Sequence, residues 1–186
     1  KLPLPPGTLP TTCGDHERFR AGYLGRFPGC YHTGDGGHRD ADGYVHVMGR
    51  TDDVINVAGH RLSTGEIEEV VAGHPAVAEC AVIGVADADR GEVPVGLVLL
   101  QDGAGIGADA LEAELVARVR REIGAFACFR RAVVVDRLPK TRSGKILRRL
   151  LRGLAAGEAV AAPSTIDDPA IVDEIATRLR DAGVAP

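Results

Sequence analysis

Two lysines stand close together in a chain that otherwise uses arginine for its positive charge. Of the 22 basic residues, 19 are Arg, and the three Lys are Lys1, Lys140 and Lys145. Arg and Lys replace one another on a solvated surface, but Lys offers a compact, mobile ammonium where a reacting group must be met. The loop of residues 140–145 is therefore a candidate catalytic loop, and a solvated basic loop formed by chance is the plainer alternative.

The residues around this loop predict the elements that hold it. A short apolar strand at 132–135 and a turn at 136–139 come before the loop. A helical stripe follows, with arginines on its opposite face, from the apolar residues at 146, 147, 150, 151 and 154. Ser143 is predicted to cap this helix and Gly157 to end it, which would put Lys145 at the mouth of the helix. A phosphate-binding P-loop is excluded because Pro139 stands where that motif needs glycine.

Three stretches resemble core motifs of the adenylate-forming acyl-CoA synthetases. Residues 139–149, which read Pro-Lys-Thr-Arg-Ser-Gly-Lys-Ile-Leu-Arg-Arg, resemble the last core motif of that family. Residues 31–35, Tyr-His-Thr-Gly-Asp, resemble its ribose-binding motif, and residues 49–61 with the following Glu-Ile-Glu at 66–68 resemble its hinge motif. The motifs occur in the family's order, and the resemblance runs from about Leu4 to Val184. It is strongest to the C-terminal portion of the AMP-forming short-chain members, the acetyl- and propionyl-CoA synthetases, and residues 47–64 lean toward the propionyl branch.

The resemblance implies a two-step ligase reaction. A short-chain carboxylate, propionate or acetate, would attack the α-phosphate of ATP to give an acyl-adenylate and pyrophosphate, and the thiol of CoA would then take the acyl group. Lys145 would stabilise the negative charge that builds up in the first step. Mg²⁺ would arrive with ATP and be held mostly by its phosphates. A lysine acyltransferase or deacylase acting on Lys145 is a further implied partner, since acylation would remove its charge.

The resemblance also assigns residues to the nucleotide and to a hinge. Asp35 would hold the ribose, because one carboxylate can accept from two neighbouring hydroxyls, although an Asx turn explains the same residue. Arg50 and Arg61 take positions near the ribose and phosphates of the nucleotide. Asp52 is the implied hinge, about which one domain would swing against the other between the two half-reactions.

The implied CoA site is formed by a different set of residues. The swing would remove Lys145 and present residues 57–60 to the pantetheine tunnel, where Gly59 has no side chain to block the passage. Asn56 lies on the same segment and is a candidate cleft residue. Arg120 matches the position that meets the phosphate at the nucleotide end of CoA, and its neighbour Arg121 is the alternative.

Length and patterning predict an α+β protein. A chain of 186 residues with 45% apolar composition can bury one core and part of a second. Residues 1–51, rich in turn signals, are predicted to form β-hairpins, and the resemblance implies that they are the end of a large N-terminal domain. Residues 52–157 would form a mobile C-terminal domain with a roughly three-stranded sheet packed by helices, and residues 158–186 a tail with one helix. The Pro-rich start at Lys1 suggests the middle of a longer protein. Since the resemblance places the phosphate loop and the acyl pocket in the N-terminal domain, this chain alone is expected to be inactive.

Local signals outline the elements of the C-terminal domain. Strands are predicted at 54–57, 77–85, 93–100 and 133–135. A capping box at 63–66 is predicted to open one helix, and Asp109 with Glu112 to open another that stops at Gly124. In the tail, Asp168 and Pro169 are predicted to open a helix that ends at Gly183.

Several other functions are disfavoured by the composition. The net charge of −4 argues against a nucleic-acid partner. The four cysteines and six histidines lack ligand spacing, so no protein-bound metal is predicted. No signal peptide or membrane span is visible, which favours a cytoplasmic protein without a membrane partner.

Two alternatives share the same motifs. The chain could be an isolated C-domain that acts as a binding module without turnover, or part of an adenylation domain that feeds a carrier protein. Arg120 and the tail helix favour CoA as the acceptor. The acyl group is not revealed, because the family's acyl pocket lies in the N-terminal domain.

Overall fold

The computed structural model describes residues 11–186, apart from the side chain of Met48, and its chain divides into two compact units after Asp52. The Pro-rich start lies outside the described residues. In the first unit, helix α1 (His16–Phe19) continues into a π-helical turn (Arg20–Leu24). Strands β1 (Asp35–Arg39) and β2 (Val45–Arg50) then form an antiparallel hairpin with a register shift between Gly36 and Gly37. This hairpin agrees with the β-hairpins predicted for residues 1–51.

The second unit, residues 53–186, is an α+β domain, as predicted. Its elements are β3 (Val54–Val57), β4 (His60–Ser63), α2 (Thr64–Ala72), β5 (Val77–Asp87), β6 (Gly91–Leu100), α3 (Ala108–Glu122), a 3-10 turn (Ala125–Ala127), β7 (Arg131–Val134), α4 (Arg148–Ala155) and α5 (Ile171–Asp181). The sheet has five strands in the order β4-β3-β6-β5, with β7 parallel to β6. It is larger than the predicted three because the β3–β4 hairpin joins it where Val57 pairs with Gly91.

Helices cover both faces of this sheet, which explains the uninterrupted apolar runs of β5 and β6. Successive side chains of a strand point to opposite faces. Cys80 and Val82 of β5 accordingly pack with helices α2 and α3, whereas Ala81 and Ile83 pack with α4 and α5. Each fully buried Leu or Ile side chain contributes about 1.5–3 kcal/mol. Those that anchor the helices with no more than 2% exposure are Ile67, Leu111, Leu115, Leu151, Ile175 and Leu179.

The tail, residues 158–186, packs into the core on the α4 and α5 side of the sheet. Helix α5, with Ile171, Ile175 and Leu179 facing inward, lies against α4 and the sheet. Asp168 accepts a hydrogen bond from the Ala170 N–H (2.9 Å) just before the helix, and Gly183, with φ +65°, follows its end. Residues 158–186 are therefore structurally continuous with the domain that precedes them.

Three predicted helix caps are corrected by the structure. Helix α4 begins at Arg148, after Leu147, so Ser143 is not its cap and Lys145 lies in the loop before it. Helix α3 begins after Gly107, and the carboxylate of Glu112 instead accepts a hydrogen bond from the Ala132 N–H (2.8 Å) of β7. Helix α2 begins directly after Ser63, as predicted, but without a side-chain cap bond from that residue.

Candidate functional site

In the first unit, the structure brings Asp35, Arg50 and Asp52 together at the end of the β1–β2 hairpin. The guanidinium of Arg50 donates to the Thr33 carbonyl (2.9 Å) and to Asp52 Oδ1 (3.0 Å), and its Nη1 lies 3.5 Å from Asp35 Oδ1. Arg50 thus closes over the turn that carries Asp35. The adjoining Gly34 has φ +80°, and a Cβ there would come within 2.6 Å of the Arg50 side chain. Only glycine allows this approach.

The chain on either side of Asp52 is anchored within its own unit. Thr51 donates to the Gly34 carbonyl through both its N–H (2.8 Å) and its hydroxyl (3.0 Å). Asp53 binds Arg152 of helix α4, with 3.1 Å between Oδ1 and Nη1, and its side chain is only 16% exposed. The predicted hinge residue, Asp52, is the single residue between these two anchors.

The β3–β4 hairpin carries Asn56, Gly59 and Arg61, and all three lie on its exposed parts. Its two turn residues, Ala58 (φ 47°) and Gly59 (φ +89°), both have positive φ, as a type I′ turn requires. The Ala58 N–H donates to the Arg90 carbonyl (2.8 Å), and Asn56 pairs across the hairpin with Arg61. This turn therefore presents a narrow tip that is braced against the start of β6.

Arg120 lies near this turn, in the last turn of α3, where it lines a small cavity of about 100 Å³ with Arg130, Gly124 and Cys128. The intervening 3-10 turn carries Phe126, which is 45% exposed and contacts the His60 ring (centroids 5.1 Å apart). Arg121 is instead turned to Glu122, at 2.9 Å. Sequence patterns do not predict a role for Arg130, because it belongs to one of three Arg-Arg pairs in a chain with 19 arginines.

Lys145 lies in a tight loop that closes like a hairpin. Lys140 pairs with Ile146 in an isolated bridge, and the Thr141 N–H donates to the Lys145 carbonyl (2.9 Å). The Thr141 hydroxyl in turn accepts from the Lys145 N–H (3.1 Å), and Gly144 supplies the positive φ (+81°) that the turn needs. The Lys145 side chain is exposed. Among the atoms that the structure describes, its ammonium has no hydrogen bond or ion pair.

The structure does not bring Lys145 together with Gly59. The Lys140 ammonium is held by Glu79 (2.7 Å), which pairs with Leu99 at one end of the β5–β6 hairpin. The Gly59 turn is attached at the other end, where Gly91 pairs with both Val57 and Asp87. Asp87 lies eight positions after Glu79 along β5, a distance of roughly 26 Å. The lysine loop and the glycine turn are therefore anchored at opposite ends of one sheet.

A half-buried ion network supports the helix that follows the lysine loop. Arg148, the first residue of α4, donates to both carboxylate oxygens of Glu68 (2.7 Å at the shortest), and Glu68 also accepts from the Val82 N–H (2.8 Å). Burial opposes the charge on Arg148, but the hydrogen bonds to Glu68 prevail and raise the pKa of its guanidinium. The network ties α2, β5 and α4 together. Arg148 and Glu68 are 80 residues apart in the chain, so no local sequence pattern indicates this contact.

Burial also raises the pKa of the Cys80 thiol, to about 12, and the nearby Glu68 charge adds to this effect. The thiol lies under α2, where it is within 3.5 Å of the Glu68 carbonyl.

Between residues 11 and 186, no group of three or more His, Cys, Asp or Glu side chains could hold a metal ion. Among the described helices, none is long and apolar enough to cross a membrane.

Comparison with known proteins identifies the family. The AMP-binding enzyme C-terminal domain matches residues 66–145, which run from the start of α2 to Lys145 itself. Residues 66–145 therefore belong to this family of domains. The chain corresponds to the C-terminal portion of the adenylate-forming enzymes, as the three motifs predict.

Curated relatives match almost all of the chain. An uncharacterised protein of Pseudomonas aeruginosa is 67% identical over 98% of this chain and 29% of its own length. Mitochondrial acyl-CoA synthetase short-chain family member B of Dictyostelium discoideum is 47% identical over 94% of this chain and 25% of its own. Acetyl-coenzyme A synthetase of Pyrobaculum aerophilum is 48% identical over 91% and 25%. The chain thus spans between a quarter and a third of the length of these relatives.

Solved structures agree with the assignment. ATP-bound MatB from Rhodopseudomonas palustris superposes with a TM-score of 0.62 at 33% identity, covering 73% of this chain and 26% of that one. The anthranilate CoA ligase AuaEII in complex with anthranoyl-AMP superposes with a TM-score of 0.61 at 36% identity, covering 74% and 26%. These two neighbours were solved with the nucleotide substrate and with an aryl-adenylate.

Proposed function

We propose that this chain is the catalytic C-terminal part of an AMP-forming acid–thiol ligase that converts a short-chain carboxylate, propionate or acetate, into its CoA thioester. The single observation that carries the proposal is the anchoring of the Lys145 loop and the Gly59 turn at opposite ends of one sheet. One active site can use both only in turn, which fits a reaction made of two half-reactions. The short-chain acyl-CoA synthetases among the relatives support the same chemistry.

In the first half-reaction, a carboxylate oxygen forms a bond to the α-phosphorus of ATP while the bond to the pyrophosphate oxygen breaks. The nucleophile is already an anion, so the step needs stabilisation of negative charge more than it needs a base. Lys145 suits this role because its side chain is exposed and its ammonium has no partner among the atoms that the structure describes. Lys140 does not suit it, because Glu79 holds its ammonium.

The nucleotide would be held by the first unit and by Arg61. Asp35 is well placed to accept from ribose hydroxyls, since its carboxylate is 43% exposed and its turn is fixed by Arg50. Arg50 is then a residue that both orients Asp35 and contributes positive charge beside the phosphates. Arg61 is exposed on β4 and offers a second guanidinium. ATP would bring Mg²⁺ with it.

Between the half-reactions, the second unit would turn about Asp52. Rotation concentrates where the backbone is least constrained. Thr51 is fixed in one unit and Asp53 in the other, which supports Asp52 as the pivot.

In the second half-reaction, the CoA sulfur attacks the acyl carbon, AMP leaves and the thiol proton passes to solvent. The Gly59 turn would line the pantetheine path, with Asn56 beside it. Arg120, together with Arg130 in the same cavity, would bind a phosphate at the nucleotide end of CoA.

The proposal also includes modification of Lys145 and the location of the protein in the cell. The exposed Lys145 would be accessible to a lysine acyltransferase or deacylase, and acylation would remove the charge that the first half-reaction needs. A cytoplasmic location stays a prediction, since one relative is named as mitochondrial.

The decisive experiment uses the full-length protein that carries this chain. With ATP and propionate or acetate it should exchange pyrophosphate into ATP, and with CoA it should release AMP and acyl-CoA. Lys145→Ala should abolish the exchange but retain thioester formation from supplied acyl-adenylate. A protein that neither exchanges pyrophosphate nor forms thioester would be a binding module instead. Transfer to a carrier protein but not to CoA would reassign the acceptor.

A further inference from the structure

The tail forms a short antiparallel pairing with the base of the lysine loop. Thr141 and Ile166 are bridge partners. On one side of them the Arg142 N–H donates to the Thr165 carbonyl (3.2 Å), and on the other the Asp167 N–H donates to the Lys140 carbonyl (2.9 Å). The family match ends at Lys145, so this contact comes from a segment outside the matched domain.

Thr141 connects this pairing to Lys145. The backbone groups on either side of Thr141, the Lys140 carbonyl and the Arg142 N–H, bond to the tail. Thr141's own N–H and hydroxyl hold the carbonyl and N–H of Lys145 at 2.9 and 3.1 Å. The loop thus lies between the tail on one edge and its own turn on the other. The backbone of Lys145 is fixed although its side chain is exposed.

The tail segment is itself firmly held. Ile166 is 4% exposed in the core beneath α4 and α5. The guanidinium of Arg137, in the turn before the loop, donates to both carboxylate oxygens of Glu174 (2.6 and 2.9 Å) and to Asp168. Arg137 therefore links the entry of the lysine loop to Asp168, just before α5, and to Glu174 in the first turn of that helix.

We propose that residues 165–168 position Lys145 for the adenylate-forming step. This inference rests on the proposed function of Lys145. The ammonium of a lysine stabilises a transition state best when the lysine backbone is held in place. Each additional free backbone dihedral lets the ammonium occupy positions away from the developing negative charge. The tail would matter for the first half-reaction and not for the second, in which Lys145 takes no part.

The test compares two substitutions at one position in the full-length protein. Asp167→Pro removes the N–H that binds the Lys140 carbonyl, whereas Asp167→Ala keeps it. Ile166, being in a bridge, already has the extended backbone that precedes proline readily. Asp167→Pro is expected to slow pyrophosphate exchange by about threefold to tenfold, the worth of one lost hydrogen bond. Thioester formation from supplied acyl-adenylate should stay unchanged, and Asp167→Ala should match wild type in both assays.

The result that would overturn the proposal is equal activity of Asp167→Pro and Asp167→Ala in pyrophosphate exchange, or an equal loss of both half-reactions. If Asp167→Pro does not fold, Arg137→Gln decides by the same criterion. Its control is Arg180→Gln, whose side chain bonds to Ala176 and Thr177 of the same helix.

Limited trypsin digestion separates this inference from the proposed function. Arg142 and Lys145 are exposed, and cleavage after them reports how often the loop opens. Asp167→Pro should be cut there faster than Asp167→Ala, and equal rates would count against the positioning role. Should Lys145→Ala keep full pyrophosphate exchange, the proposed function fails, while the digestion still tells whether the tail holds the loop.

Discussion

The ammonium of Lys140 lies 2.7 Å from the carboxylate of Glu79, and this ion pair distinguishes the two lysines that share one tight loop. Both partners are about one-third exposed, so the pair adds little to stability by itself. Its main effect is to orient Lys140 toward the sheet, whereas Lys145 at the other end of the loop stays exposed.

Substitution at Lys145 should separate charge from shape. In the full-length protein, Lys145→Arg should lose nearly as much pyrophosphate exchange as Lys145→Ala, about a hundredfold to a thousandfold, because the planar guanidinium cannot replace a compact ammonium. Thioester formation from supplied acyl-adenylate should survive in both variants. The matched control is Lys140→Arg, which keeps its ion pair with Glu79 and should retain most of the exchange. An equal loss at positions 140 and 145 would contradict the distinction between the two lysines.

The sequence predicted the strands and helices of the second unit well because their apolar patterns are strong. The runs in β5 and β6 are buried on both faces, and the stripe of Leu111, Leu115 and Val119 identifies α3. The predicted helix cap at Ser143 was wrong. The hydrogen bonds between Thr141 and Lys145 place Ser143 in a closed loop, and the helix begins only at Arg148.

The candidate site divides in the same way. Motif residues close together in sequence, such as Asp35 in its turn, could be found from local patterns. The contacts that orient them could not, because they join distant positions. Asp53 binds Arg152 across 99 residues, and the pairing of Thr141 with Ile166 depends on where the tail packs. Such partners are set by the tertiary fold and have no fixed spacing.

The Gly59 turn should be sensitive to side-chain size for a functional reason. Gly59 (φ +89°) and Gly103 (φ +74°) both have positive φ, and a Cβ at either meets no atom within 4 Å. Gly59→Leu and Gly103→Leu should therefore each cost about 1–2 kcal/mol of unfolding free energy through the same backbone strain. Only Gly59→Leu should also reduce thioester formation, since its side chain would enter the pantetheine path. Kinetics with supplied acyl-adenylate and CoA compare the two, and an equal effect would remove Gly59 from the CoA site.

The buried Cys80 thiol should make the protein less stable in alkali. Its pKa is about 12 in the folded chain, against 9.0 for an ordinary thiol, so the unfolded chain loses this proton first as the pH rises. The stabilising contribution is complete below pH 9 and is lost as the pH rises toward 12, by about 1.4 kcal/mol for each pH unit.

Denaturant unfolding under reducing conditions at pH 8 and pH 10 measures this contribution. Cys80→Ala should lose about 1 kcal/mol less than wild type between the two pH values, because it lacks the titrating thiol. Cys128→Ala, at a partly exposed position, is the matched control and should follow wild type. Parallel pH dependence of wild type and Cys80→Ala would show that Cys80 titrates normally.

Arg120 should read a phosphate of CoA. Arg120→Glu in the full-length protein removes a charge-assisted contact worth about 1.5–3 kcal/mol, so the CoA requirement should rise by about tenfold to a hundredfold while pyrophosphate exchange stays near wild type. Arg121→Glu is the matched control, since Arg121 bonds to Glu122 outside the cavity that Arg120 and Arg130 line. Dephospho-CoA, which lacks the 3′-phosphate, sharpens the test: wild type should prefer CoA, and Arg120→Glu should lose most of that preference. If the variant discriminates as strongly as wild type, the phosphate is bound elsewhere, and Arg130→Glu tests the remaining guanidinium of the cavity.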